Sequence, residues 1–221
     1  MARIARIVIP RMPHHVTQQG AGGADVFYSD QDRREYLTRI DEYARRYGVA
    51  IWAYCLMSDH VNFVAVPRRA DSLSRTFREA HRAYASWMNR MVGESGHLWQ
   101  ERFHSCVLHG SYLPAAVRYV ERGPVRAGLL RRAERWKWSS AAAHCGLRDD
   151  PLLSPIEMPW PRADWAAYLR EDDEAEVAAL AQRTRTGRPW GPVSFLKRLE
   201  KKLGLPILPR KRGRKPKQAQ Q

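Results

Sequence analysis

Cysteine is scarce in this chain. Its three residues, Cys55, Cys106 and Cys145, are an odd number, lie far apart and form no C-x-x-C pair. That excludes a disulfide framework and a zinc site of ordinary spacing, and leaves three buried thiols. Long apolar runs are also missing. None approaches the roughly 18 residues of a spanning helix, so no membrane partner is expected. The opening M-A-R-I-A-R-I-V-I-P alternates charged and apolar residues and is too short for the core of a secretion signal, so it reads as a first strand or its approach. No internal repeat is present. Negative charge is in the minority: 23 Asp and Glu face 38 Lys and Arg, a net charge of +15. Such an excess calls for a polyanionic partner, nucleic acid first, and for a cytoplasmic, nucleoid-associated protein.

What the chain does contain is patterned. Its 221 residues suffice for one compact domain and an appendage. The predicted division is a domain over 1–150, a helical C-terminal extension over 151–205 and a basic disordered tail over 206–221. H-H-V-T-Q-Q at 14–19 reads as a short strand ending in the cluster Gly20, Gly22 and Gly23. Ser29 or Asp30 can cap the helix that follows, in which Tyr36, Leu37, Ile40, Tyr43 and Ala44 recur at helical steps up to Gly48.

Residues 50–67, A-I-W-A-Y-C-L-M-S-D-H-V-N-F-V-A-V-P, hold two apolar runs joined by Ser58-Asp59 and read as two buried strands or one bent one. Alternation in the second run puts His60 and Asn62 on one face. Two side chains with lone pairs pointing the same way can hold a cation, or can form a hydrogen-bonded structural pair.

A second helix from Ser72 carries Leu73, Phe77, Ala80, Tyr84 and Trp87 on one stripe and Arg75, Arg78, His81 and Arg82 on the other side. That other side is either a solvated basic face or a phosphate-contacting one. Trp99, Arg102 and Phe103 interleave aromatic and cationic side chains, which suits stacking on unpaired bases or packing under the sheet. A third helix is expected from Ser111 to just beyond Tyr119, stopped by Gly123-Pro124. Further helices are expected at about 162–169, 172–183 and 193–203. From Ser194 onward ten Lys and Arg face one Glu, so this end carries +9 of the net charge. Within it Arg210, Lys211, Arg212, Arg214 and Lys215 are candidate phosphate contacts, and R-G-R-K-P resembles a minor-groove hook.

Taken in order, P-H-H-V-T-Q, W-A-Y-C-L-M-S-D-H-V-N, H-L-W-Q-E-R-F, R-Y-V-E-R-G-P-V-R-A-G-L and W-K-W-S-S-A resemble the REP-associated tyrosine transposases, the single-tyrosine branch of the HUH endonucleases. The resemblance covers roughly residues 8–150. It implies an α+β fold: a ferredoxin-like antiparallel sheet with helices packed on one face, followed by a helical and basic C-terminal extension. It further implies a partner, single-stranded DNA with imperfect palindromes folded into hairpins, and cleavage and rejoining by a tyrosine nucleophile with Mg²⁺ or Mn²⁺. A homodimer is a further possibility. Carried over residue by residue, the nucleophile is Tyr119 and the first His of the metal motif is His60, with Asn62 at the second position. Arg75, Arg78, Arg82, Trp99, Arg102 and Arg126 join the tail residues as expected DNA contacts.

The chemistry explains these parts. A phosphodiester repels nucleophiles, so a cation on its nonbridging oxygens supplies stabilisation, and a phenol attacks as it loses its proton. Two departures stand out. The motif reads H-V-N where the family has two His, and the residue four after the tyrosine, where an amide ligand is expected, is Gly123. Asp59 and Glu121 are the nearby acids that could stand in. Three functions therefore compete: an endonuclease and strand transferase, a hairpin-binding protein that has lost catalysis, and, by fold analogy only, an RNA-binding module.

Overall fold

The computed structural model describes residues 6–93, 95–156 and 164–208. The first six elements are β1 (His14–Gln19), α1 (Asp30–Tyr47), β2 (Val49–Leu56), β3 (His60–Pro67), α2 (Ser72–Val92) and β4 (His104–Val107). The strands form one sheet in the order β2-β3-β1-β4, antiparallel throughout. This is the expected ferredoxin-like α+β arrangement. Local chemistry sets its joints. Ser29 caps α1 and Asp32 bonds back to the Ser29 amide, a full capping box that satisfies donors otherwise orphaned at the helix start. Gly48 closes α1 in the left-handed region at φ 69°, which a side chain would resist.

Alternation along the strands separates two faces. On one, Val16, Tyr54, Leu56, Val61, Phe63 and Ala65 pack against Tyr36 and Ile40 of α1 and Leu73, Phe77, Ala80 and Tyr84 of α2. A bulge between Ile51 and Ala53 shifts the register of β2 and turns both Trp52 and Ala53 to the opposite face. That face is covered too. The chain continues through α3 (Leu113–Glu121), α4 (Gly123–Arg126), α5 (Ala141–His144), α6 (Trp165–Tyr168), α7 (Glu174–Thr186) and α8 (Val193–Leu203). Cys55, Val64 and Cys106 of the sheet meet Val117 and Val120 of α3, Trp165 of α6 and Leu180 of α7. So α1 and α2 keep to one face as expected, and α3 with the extension fills the other.

Some details differ from the sequence reading. The turn at Gly110–Tyr112 is 3₁₀, so α3 begins at Leu113. Pro124 opens a further helical turn, because a residue without an amide proton is tolerated at a helix start. His81, expected on the basic side of α2, is buried: Tyr36 Oη lies 2.9 Å from its Nε2, and Trp99 stacks on it at 4.6 Å. A third apolar cluster joins Phe195, Leu196 and Leu199 of α8 to Ile7, Ile9 and Val107 at the β4 edge. There Gly191 is required, since a Cβ would sit 2.5 Å from the Phe195 ring and 2.7 Å from His109 Cβ.

The face under α1 and α2 is the stability reserve. Replacing the fully buried Phe77 with Ala should cost about 3–5 kcal/mol in denaturant unfolding. Ser29→Ala, which removes only the cap, should cost about 1 kcal/mol.

Candidate active site

His60 opens β3, where the turn from β2 ends. Its Nδ1 lies 2.6 Å from a carboxylate oxygen of Asp59, and both side chains are about one-third exposed. A carboxylate on Nδ1 fixes the tautomer with the proton there and leaves Nε2 as an outward lone pair, the arrangement that orients metal-binding imidazoles. Asp59 thus acts through His60.

Asn62 points from the same face but inward, and is buried. Its Oδ1 accepts a hydrogen bond from His15 Nε2 at 3.2 Å. Nδ1 of His15 therefore accepts from the Thr184 hydroxyl at 2.7 Å, and Cys106 Sγ lies 3.3 Å from that hydroxyl. The chain of bonds runs from β4 through α7 and β1 to β3. Burial pushes His15 down to about 3; its bond to Asn62 opposes this, and the nearby Arg126 and His60 add to it. His15 is a neutral imidazole at any ordinary pH. Tyr119, on α3, stands edge-to-face on that ring with centroids 5.3 Å apart. The Arg126 guanidinium lies over the phenol ring at 4.2 Å. One sheet face thus carries His60, Asn62, His15 and Tyr119 in sequence.

The residues beside Tyr119 fasten α3. Glu121 is wholly buried, taking hydrogen bonds from Ser140 at 2.5 Å and Trp165 at 2.8 Å, with His144 Nδ1 at 2.5 Å. It points away from His60 and offers no replacement ligand. Arg118 pairs with Glu176 at 2.7 Å and stacks on Tyr168. Arg122 pairs with Asp172 at 3.1 Å and donates to the Leu169 carbonyl. A Cβ on Gly123 would rest 3.6 Å from Cys55 Sγ and Met57 Sδ, so the position has room for a side chain and lacks one. Among the described residues, no three of His, Cys, Asp and Glu converge as a metal cluster. The donor atoms that a divalent cation would use here are His60 Nε2 and Asn62 Oδ1, the second of them engaged by His15.

Two clefts adjoin one another, and His60 lines the first. One, of about 440 Å³, is lined by Thr17, Gln19, Asp59, His60 and His104. The other, of about 560 Å³, gathers Arg78, Arg82, Trp99 and Arg102, together with Arg6. Gln18 and Glu101 line both. Glu101 adopts φ 45°, a strained conformation for a residue with a side chain, next to the candidate site. Arg75 does not line this groove; it lies over Tyr47 at 4.4 Å and pairs with Asp71. Trp99 is divided between roles, since its Nε1 donates to the His81 carbonyl while the ring borders the cleft. Arg210, Lys211, Arg212, Arg214 and Lys215 lie outside the described residues. His15, Thr184 and His104 were missed as site neighbours: the alternation of H-H-V-T-Q-Q was legible, but strand register was not.

Comparison with known proteins bears on this geometry. The model of the family described as "Transposase IS200 like" matches residues 22–123, a segment that contains His60, Asn62 and Tyr119. That segment is similar to the IS200-like transposases. Its fold also matches a solved structure described as a REP-associated tyrosine transposase bound to a REP hairpin. The identity there is 16%, with coverage of 71% of this chain and 99% of that one and a TM-score of 0.57. A second structure, a "putative transposase" from Deinococcus radiodurans R1, aligns at 15% identity over 54% of this chain and 96% of its own, with a TM-score of 0.39. No curated protein matches the chain significantly. Among the described residues, no helix is long and apolar enough to cross a membrane.

Three buried imidazoles give the fold a pH signature. Burial lowers His14 to about 4 and His15 and His81 to about 3, against 6.5 in an unfolded chain. Between these values the unfolded chain takes up protons that the native one refuses. The stabilisation is complete above about pH 7 and is lost as pH falls toward 3–4. Denaturant midpoints measured from pH 7.5 to 4.5 should decline, and the slope should shrink in His81→Phe.

Proposed function

We propose that this protein binds single-stranded DNA folded into imperfect palindromic hairpins of the REP kind, and cuts and rejoins it through Tyr119. The observation that carries this reading is the shared sheet face. Tyr119 reaches Asn62 through a single intervening residue, His15, and His60 on the same strand lines a cleft that shares Gln18 and Glu101 with the Arg-lined one. The solved structure of similar fold, described as bound to a REP hairpin, supports the choice of nucleic acid.

In this reading Arg78, Arg82 and Arg102 draw in the phosphate backbone, and the exposed border of Trp99 offers a surface for an unstacked base. His60, oriented by Asp59, and Asn62 are the residues that would hold a Mg²⁺ or Mn²⁺ ion. When bound, that ion supplies positive charge to the nonbridging oxygens of the scissile phosphate. Tyr119 attacks phosphorus, giving a 5′-phosphotyrosine and a free 3′ hydroxyl, which preserves the ester for rejoining. His15 stays neutral and serves to place the phenol ring. One chain supplies the imidazole and the phenol. The fastening of α3 on both sides of Tyr119 favours this over exchange between chains.

A second reading has its own observation. Asn62 Oδ1 is already engaged by His15, and Gly123 contributes no ligand, as in a hairpin-binding protein without cleavage. Incubation of the full chain with a labelled single-stranded palindrome and Mn²⁺ separates the two. The nuclease reading predicts a covalent adduct that is abolished in Tyr119→Phe and reduced at least 100-fold in His60→Ala, about 3 kcal/mol in the barrier. Tight hairpin binding with no adduct, and activity gained in Asn62→His, would establish the binding protein instead.

A further inference from the structure

Arg126 has no acid partner, unlike the other two arginines around Tyr119, although Arg122 Nε is also buried and unpartnered. Arg118 and Arg122 are spent on Glu176 and Asp172. Arg126 instead lies flat over the phenol ring and donates through Nη2 to the Tyr119 carbonyl at 2.7 Å. Its other terminal nitrogen, Nη1, is buried and has no hydrogen-bond partner. Asp172, the acid whose charge acts on it, is hydrogen-bonded to Arg122. An unfilled donor on a buried charged group is costly. The packing holds it there, beside the nucleophile.

An arriving anion would recover that cost. The guanidinium presents a planar, permanently charged fork that suits phosphate oxygens. Its place is also where charge is short, because Asn62 and Gly123 leave His60 as the one imidazole turned outward at the motif.

We propose that Arg126 is a phosphate-binding catalytic residue, its Nη1 taking a nonbridging oxygen of the phosphate that Tyr119 attacks and supplying fixed positive charge where the cation site is weakened. This rests on the cleavage reading above. In the step, the phenolic oxygen forms a bond to phosphorus as the bond to the 3′ oxygen breaks. The phenolic proton leaves to solvent, the 3′ oxygen takes one up, and the diester keeps its single negative charge facing Arg126. Because the guanidinium stacks on the ring that becomes esterified, it remains beside the phosphotyrosine and stabilises the intermediate until rejoining.

The test separates phosphate binding from cleavage. Hairpins with single-stranded 5′ arms of one to six nucleotides, ending in a 5′ phosphate or a 5′ hydroxyl, are titrated against the full chain in EDTA by fluorescence anisotropy. Wild type should prefer the phosphate at one arm length by about tenfold. Arg126→Gln should lose that preference while binding the hydroxyl form unchanged, and Arg126→Lys should retain part of it. Thermal unfolding of each variant checks that the fold persists. With Mn²⁺, Arg126→Gln should slow single-turnover adduct formation by on the order of 100- to 1,000-fold. A wild type without the preference, or a folded Arg126→Gln that keeps it, overturns the proposal. An Arg126-dependent preference in a wild type that forms no adduct would sink the cleavage reading and leave the phosphate site standing.

Discussion

The buried carboxylate of Glu121 is the constraint on which the arrangement of this molecule turns. A charge with no solvent contact is tolerated only when its oxygens are filled, and here Ser140, His144 and Trp165 fill them. Those three residues come from the segment after α4 and from α6, so meeting the need of one side chain docks the C-terminal extension against α3. Arg118 and Arg122, one turn apart on either side of Tyr119, repeat the device with Glu176 and Asp172. The two arginines are buried while their acid partners are about one-third exposed, so swinging the helix out would break both pairs and leave the Glu121 carboxylate unfilled.

From that docking follows the electrostatic character of the site. Thr184 of α7 reaches the sheet and accepts no charge; it sets the tautomer of His15, and His15 in turn holds the amide of Asn62. Polar groups there are paired in a closed series and the imidazole stays neutral, which avoids the penalty of an unpaired buried charge. Open valences lie beside the series: the outward nitrogen of His60, and the unpartnered nitrogen of Arg126 over Tyr119. Stability is concentrated in the middle of the face and binding capacity at its rims.

Much of the scaffold was legible because its signals are local. The strand at 14–19 and the helix at 193–203 fall where the pattern of apolar residues put them, and Ser29 and Gly48 mark the limits of α1 as caps should. His81 was misassigned because helical periodicity ranks faces, and a residue at the border of the apolar stripe turns in when a partner such as Tyr36 waits there. The site was half legible. His60, Asn62 and Tyr119 were marked by motif, yet the role of His15 depends on the pairing that sets it opposite Val64, which periodicity along one strand does not contain. Glu121 is near Tyr119 in sequence, but side chains two residues apart on a helix point about 200° apart, and Glu121 is buried against Ser140, His144 and Trp165.

Assembly of the site within one chain is tested most directly by mixing two inactive proteins. Tyr119→Phe keeps His60, and His60→Ala keeps Tyr119, so an equimolar mixture restores a complete site only if α3 passes between chains. With a labelled palindromic hairpin and Mn²⁺, the fastening of α3 described above predicts an adduct in wild type and none in the mixture, even after joint unfolding and refolding. An adduct in the mixture approaching about a quarter of the wild-type yield at equal total protein, the share of complete sites in randomly mixed pairs, would show that the nucleophile works in a partner's site, contradicting the single-chain assembly.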